Sequence, residues 1–108
     1  MKITKYKIER NKLDDALNTL EILSRRSRIL MAHIIEENYD NTFYYQLIFY
    51  YNKTTADYQS EISKLLLQQG KTFIVQKEQV EKFSSYKKIM DEIELVLEMR
   101  GKYSLRLH

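Results

Sequence analysis

The chain contains no proline, and its only two glycines stand at positions 70 and 101. Proline is the commonest helix breaker, and glycine is the usual residue of tight turns. A sequence so poor in both has little material for a turn-rich β fold or a glycine-lined phosphate loop, and it favours long helices. The length of 108 residues is that of one domain, residues 1–108. A domain of this size buries roughly two-thirds of its unfolded surface, enough for a core without covalent staples. No cysteine is present, which excludes disulfides, thiol nucleophiles and thiolate metal sites.

Hydrophobic periodicity divides the chain into three helical segments. The first covers about 12–38, with Asn11 expected as its N-cap and Asp14 and Asp15 in the first turn, where a helix favours negative charge. Leu13, Ala16, Leu17, Leu20, Leu23, Leu30, Met31, Ile34 and Ile35 share one arc, and Ser24 and Ser27 inside it leave room for a close neighbour. Asn38-Tyr39-Asp40-Asn41 reads as a turn.

The second segment has two readings. Residues 43–51 (FYYQLIFYY) have strong strand propensity, and Thr54 with Asp57 would suit the start of a new helix. Placed on one helical wheel, however, Phe43, Tyr44, Leu47, Ile48, Tyr50, Tyr51, Tyr58, Ile62, Leu65 and Leu66 keep a single phase through Asn52-Lys53. A strand followed by a separate helix would not be expected to preserve it, so the preferred reading is one helix over 42–69, ended by Gly70. Leu47, Tyr51, Tyr58 and Ile62 are expected to point inward. Tyr45, Phe49, Ala56 and Leu67 make a second, narrower stripe, which suggests a middle helix packed on both sides.

The third helical segment covers 77–100, with Phe83, Tyr86, Ile89, Met90, Ile93, Val96 and Leu97 in its arc and Gly101 at its end. Residues 71–76 form a connector or short strand. Residues 1–9 are a basic arm or an edge strand, and the tail 101–108 is expected to fold Leu105 and Leu107 back over Leu95 and Met99. The expected fold is therefore all-α, a three-helix antiparallel bundle with a basic N-terminal arm and a short C-terminal tail. The competing architecture is α+β, with strands at 2–8, 43–51, 71–76 and 102–107.

Charge is mildly basic, +3 overall, and unevenly placed: residues 1–28 carry +4, residues 29–70 carry −3, and residues 71–108 carry +2. Such a mixed surface does not by itself mark a nucleic-acid binder. Lys2, Lys5 and Lys7 are followed by charged residues rather than an apolar stretch, so no secretory signal is read. No apolar run approaches the ~20 residues that span a bilayer. A cytoplasmic protein without a membrane partner is expected.

Arg25-Arg26-Ser27-Arg28 is the densest basic cluster. Arg25, Arg26 and His33 lie opposite the apolar arc of the first helix, with Ile22 and Ile29 among them. Aliphatic residues beside arginine are the composition of a protein-binding patch, and these five are the expected partner-binding face. The same arginines could contact phosphates, and the face could equally be ordinary solvated surface with the isoleucines covered by the chain ends or by a second copy. In the aromatic run 43–58, Tyr45 and Phe49 are the side chains most available for a secondary contact. Base stacking is disfavoured there, because Lys53 is the sole cation from 41 to 63.

Arg28-Ile29-Leu30-Met31-Ala32-His33 resembles the Arg-x4-His spacing of the helical ribonucleases called HEPN domains. That resemblance implies a pair of catalytic side chains meeting a second pair across a dimer. It covers six residues, and Ile29 stands where that family usually has a polar residue. His33 and Glu37 at i, i+4 could form half a metal site, with no second convergent pair. The Gly70-Lys71-Thr72 sequence lacks the upstream glycine of a phosphate loop, since Leu65 holds that position. Asp91, Glu92, Glu94 and Glu98 read as the solvent face of the third helix.

The sequence therefore points to a small non-enzymatic binding protein without cofactor or metal. Lys, Ile, Asn, Tyr and Phe supply 41 of 108 residues, a bias typical of AT-rich coding. This suggests a phage or mobile element of a low-GC bacterium and an inhibitor of a host protein machine, of the anti-CRISPR kind or similar. The expected partner is a protein, with a nucleic-acid-processing complex among the candidates. The alternatives are a nucleic-acid-binding regulator using the basic ends and a bacteriocin-type immunity protein. Direct nucleic-acid contact and a homodimer both stay open.

Overall fold

A computed structural model describes residues 5–37, 42–101 and 103–105. Its elements are strand β1 (Lys5–Glu9), helix α1 (Arg10–Glu36), helix α2 (Thr42–Leu66), strand β2 (Thr72–Gln76) and helix α3 (Lys77–Arg100). The molecule is a three-helix bundle with a two-stranded antiparallel ribbon at one end. The stretch 43–51 is helical throughout, so continuity of hydrophobic phase outweighs the strand propensity of its aromatic residues.

The helices form a row rather than a closed triangle. α1 packs along α2, α2 packs along α3, and α1 meets α3 at few points. Tyr51 reaches Glu94, and Tyr58 stacks on Phe83 at 5.3 Å and Tyr86 at 5.5 Å, so α2 and α3 are antiparallel. Arg10, at the start of α1, bonds to the carbonyls of Gln68 and Gly70 beyond the end of α2. α1 and α2 are therefore antiparallel too, and α1 runs parallel to α3.

The arm and the connector of the sequence reading are the two strands. Ile8 stands opposite Phe73 and Tyr6 opposite Val75, which places one face of the ribbon on the core, where Phe73 and Val75 are fully buried. Each strand runs straight into a helix. α1 thus starts at Arg10, and Asn11 is not its cap: the Arg10 N–H donates to the Lys71 carbonyl at 2.7 Å, so the ribbon satisfies one of the N-terminal donors that have no partner within the helix. Asp14 and Asp15 fall beyond the first turn. At α3 the cap is reciprocal. The Gln76 N–H donates to Gln79 Oε1 at 2.9 Å, and the Gln76 side chain accepts the Gln79 N–H.

α2 ends at Leu66, three residues before the expected end, and Gly70 (φ 119°) belongs to the loop rather than to the helix cap. Gly101 does end α3. At φ 70° it lies in the left-handed region, and its N–H donates to Leu97 and Glu98 carbonyls. Residues 103–105 are not a strand. Tyr103 and Leu105 are buried, whereas Leu95 and Met99 are exposed, so the tail packs elsewhere than over that pair. Leu107 and the turn 38–41 lie outside the described residues.

Core packing follows the expected arcs with named exceptions. Leu13, Leu20, Ile34, Ile48, Tyr51, Ile62, Leu65, Met90, Ile93 and Leu97 are buried, while Leu47 and Tyr58 are half-buried. Ile35, Phe43 and Tyr50, at the margins of their arcs, are exposed. Ser24, Ser27, Thr54 and Thr55 are buried. The hydroxyls of Ser27, Thr54 and Thr55 donate to carbonyls of their own helices at 2.7–2.8 Å, so they need no partner across the interface.

Candidate protein-binding face

The open side of the row is a groove between α1 and α3. Its volume is about 650 Å³. Ala16, Leu20 and Leu23 of α1, Tyr58 of α2 and Met90 of α3 give it an apolar floor, while Arg26 on one side and Lys87, Asp91 and Glu94 on the other give it charged walls. Ile22 lies on the α1 lip. Such a mixture of apolar floor and a few polar groups is the usual make-up of a recognition cleft.

The structure divides the five expected face residues. Ile22 and Arg26 line the groove, and Arg25, Ile29 and His33 continue the stripe outward along α1. Ile22 is 46% exposed and Ile29 is 70% exposed with the ribbon and residues 103–105 in place, so neither described chain end covers them. Arg25 Nη2 pairs with Glu21 Oε1 at 2.6 Å, a surface i, i+4 pair with both side chains more than half exposed. Arg26 has a different task. It is half-buried, and its Nη1 donates to the Leu105 carbonyl, tying the tail to α1.

His33 Nε2 lies 2.9 Å from Glu37 Oε1, and Tyr103 donates to the other oxygen of the same carboxylate at 2.6 Å. The Tyr103 ring packs edge-on against Tyr44 at 5.0 Å, and Arg100 stacks over Phe43 at 4.3 Å. This cluster closes the end of the bundle opposite the ribbon. Arg28 is turned back, its Nε 3.4 Å from the Ser24 carbonyl, and among the described residues its exposed side chain shares no partner with His33. Among the described residues, no three His, Asp or Glu side chains form a metal-binding group. No helix is long and apolar enough to cross a membrane among those residues.

Tyr45 and Phe49 stack at 6.3 Å on α2 and are exposed, on the side of that helix turned away from its buried residues. The stripe of Tyr45, Phe49, Ala56 and Leu67 is thus exposed, and α2 holds its middle place through one wide buried arc.

The roles of three residues escaped the sequence reading. Glu94 is buried, not solvent-facing, and accepts the Tyr51 hydroxyl at 2.8 Å. The signal was present: Tyr51 was expected inward, a buried phenol needs a polar partner, and Glu94 shares its helix face with Met90 and Leu97. Arg10 clamps the α2–β2 loop through two carbonyls and lies 4.9 Å over the Phe73 ring. Glu37 gathers His33 and Tyr103. The bonds of Arg10 to Gln68 and Gly70 and of Glu37 to Tyr103 span more than 57 positions in sequence and leave no local trace, whereas the His33–Glu37 pair, four positions apart, was read from the sequence. Burial raises the Tyr58 phenol above its ordinary range; Tyr86 is raised by burial and by the carboxylates of Glu61 and Asp57.

No family model, no curated protein and no solved structure matches this chain.

Proposed function

We propose that the protein is a non-enzymatic binding module whose docking face is the outer stripe of α1 together with the α1–α3 groove. The partner chemistry that fits is an amphipathic helix of another protein, with its apolar side entering the groove and acidic side chains meeting Arg25 on the outer stripe and Lys87 on the α3 wall. One observation carries this reading: two isoleucines one heptad apart, Ile22 and Ile29, stand exposed among arginines beside an apolar cleft. Exposed aliphatics bordered by arginine are typical of interface centres. The residue bias of the sequence supports a phage or mobile-element inhibitor of a host machine, an anti-CRISPR-type protein or similar, acting in the cytoplasm.

The test is capture from a low-GC bacterial lysate with wild-type protein and with Ile29→Asp. Ile29 makes no core contribution, so circular dichroism should be unchanged. A partner held by the wild type should be lost at least about tenfold by the variant, a change of about 1.4 kcal/mol. Equal capture by both proteins would refute the face. Arg26 is unsuitable for this test because it holds the tail. Binding that collapses steeply between low and moderate salt and survives Ile29→Asp would instead indicate nucleic acid held by the arginines.

A further inference from the structure

Beyond Gly101, which lies at φ 70°, the chain turns back on the bundle. Tyr103 reaches Glu37 at the end of α1, and Leu105 reaches Arg26, eleven positions earlier. Residues 103–105 therefore run antiparallel to α1 and toward the groove, whose α1 lining ends at Arg26. At 3.6 residues per turn, Arg26, Leu30 and Glu37 continue the flank of Ala16, Thr19 and Leu23 that lines the groove. α2 supplies the floor along the whole length through Tyr44, Tyr51 and Tyr58, at heptad spacing. Tyr44 takes the Tyr103 ring, Tyr51 donates to Glu94, and Tyr58 lies in the groove. Groove and tail seat are two halves of one channel, the first open and the second filled.

The tail defines the chemistry of the filled half. Tyr103 is 8% exposed and Leu105 is 2% exposed, while Ser104 between them is exposed, the alternation of an extended segment. The Tyr103 hydroxyl donates to Glu37 Oε2 at 2.6 Å, its ring lies edge-on to Tyr44 at 5.0 Å, and Arg26 donates to the Leu105 carbonyl. Pockets for alternate side chains, with the main chain held by hydrogen bonds, are the means by which proteins recognise extended peptides. We infer that this half of the channel is a recognition site for an extended Tyr-x-Leu segment of a partner protein, and that the chain's own tail is its resident occupant. The site shares Arg26 with the groove but takes a ligand of its own, so it does not depend on the helix proposed for the groove.

Residues 103–105 are anchored through Tyr103 and Leu105 at one end of the bundle. A segment so placed opens at a smaller free energy than the core helices. Seated within its own chain, the tail acts at an effective concentration in the millimolar range. A segment in free solution therefore competes poorly, and one presented by a partner already bound to the same molecule competes on equal terms.

The test is fluorescence anisotropy of a labelled peptide with the sequence of residues 101–108, GKYSLRLH, titrated with the full-length wild-type chain and with full-length Leu105→Asp. A carboxylate is not tolerated at so buried a position, so the variant's tail leaves its seat, and circular dichroism should remain helical. The peptide should bind the variant saturably below about 1 mM, and the wild type at least about tenfold more weakly because its own tail competes. Tyr103→Ala within the peptide should weaken binding to the variant at least about tenfold. No saturable binding to a folded variant, or equal binding to both chains, would overturn the site. Unfolding of Leu105→Asp would make the tail a fixed part of the core and overturn it as well. Sedimentation of the wild-type chain as a dimer that Leu105→Asp abolishes would assign the seat to tails exchanged between copies, and overturn the partner protein.

Discussion

α1 has two flanks, and they behave differently. Toward α2 it presents Ser24 and Ser27, both buried, and the seam is closed along its length. Toward α3 it presents Ala16, Thr19, Leu23 and Arg26, and the seam is open. The small hydroxyl residues of the closed seam explain the contrast. Ser27 and Thr55 bond to carbonyls one turn back on their own helices, so burying them strands no donor. On the other flank the residues facing the gap include Arg26, Lys87 and Asp91, whose burial would require complete pairing. One helix can therefore seal a core with one side and offer a cleft with the other.

The largest expected effect concerns the residue common to both regions. Leu20 is buried in the core and also forms groove floor. Leu20→Ala should cost about 2–5 kcal/mol, the range for removing a buried leucine side chain, and Leu23→Ala, half-buried in the groove, distinctly less. Denaturant unfolding of the two variants checks this. Equal losses would mean that the groove is packed as tightly as the core.

Next in size is the response to added bulk. Ser27→Leu should destabilise by about 1–3 kcal/mol, because the closed seam has no space for the extra methylenes. Thr19→Leu, in the groove, should stay within about 0.5 kcal/mol of the native chain. If both are tolerated, the two seams do not differ in packing.

The smallest effect is a titration. The Tyr58 phenol, raised by burial, holds its proton more tightly in the folded chain than in the unfolded one. Its contribution is fully present below the unfolded value near 10 and is lost as pH rises through the higher folded value. Thermal melts should therefore fall above about pH 10, and Tyr58→Phe should make that alkaline decline shallower. An unchanged decline would place Tyr58 in water.

These contrasts also show what could be read from residues alone. The single central helix was legible because a 3.6-residue period must keep its phase, and residues 43–66 do so through Asn52-Lys53. The arcs misplaced residues at their margins: Ile35, Phe43 and Tyr50 are apolar enough to join an arc but lie beyond what the neighbouring helices reach. Thr54 and Thr55 went the other way: they stand outside the apolar arc of the sequence reading yet are buried, their hydroxyls satisfied within the helix. The ribbon was legible only as two separate short strands, because the pairing of Lys5 with Gln76 joins residues far apart in sequence. Of the proposed face, the stripe of Ile22, Arg25, Arg26, Ile29 and His33 could be read from the wheel. The groove beside it could not, since it depends on α1 and α3 failing to close. The tether from Arg26 to Leu105 depends on where the tail lands, which no period encodes.

The central claim is that the α1 stripe and its groove receive a protein partner. Methyl NMR of isoleucine-labelled protein, titrated with the protein captured by the wild type, tests it most directly. Ile22 and Ile29 methyl signals should shift or broaden on binding, while Ile48 and Ile62, fully buried in the core, stay in place. Shifts confined to Ile74 on the outer side of the ribbon, or none at Ile22 and Ile29, would contradict it.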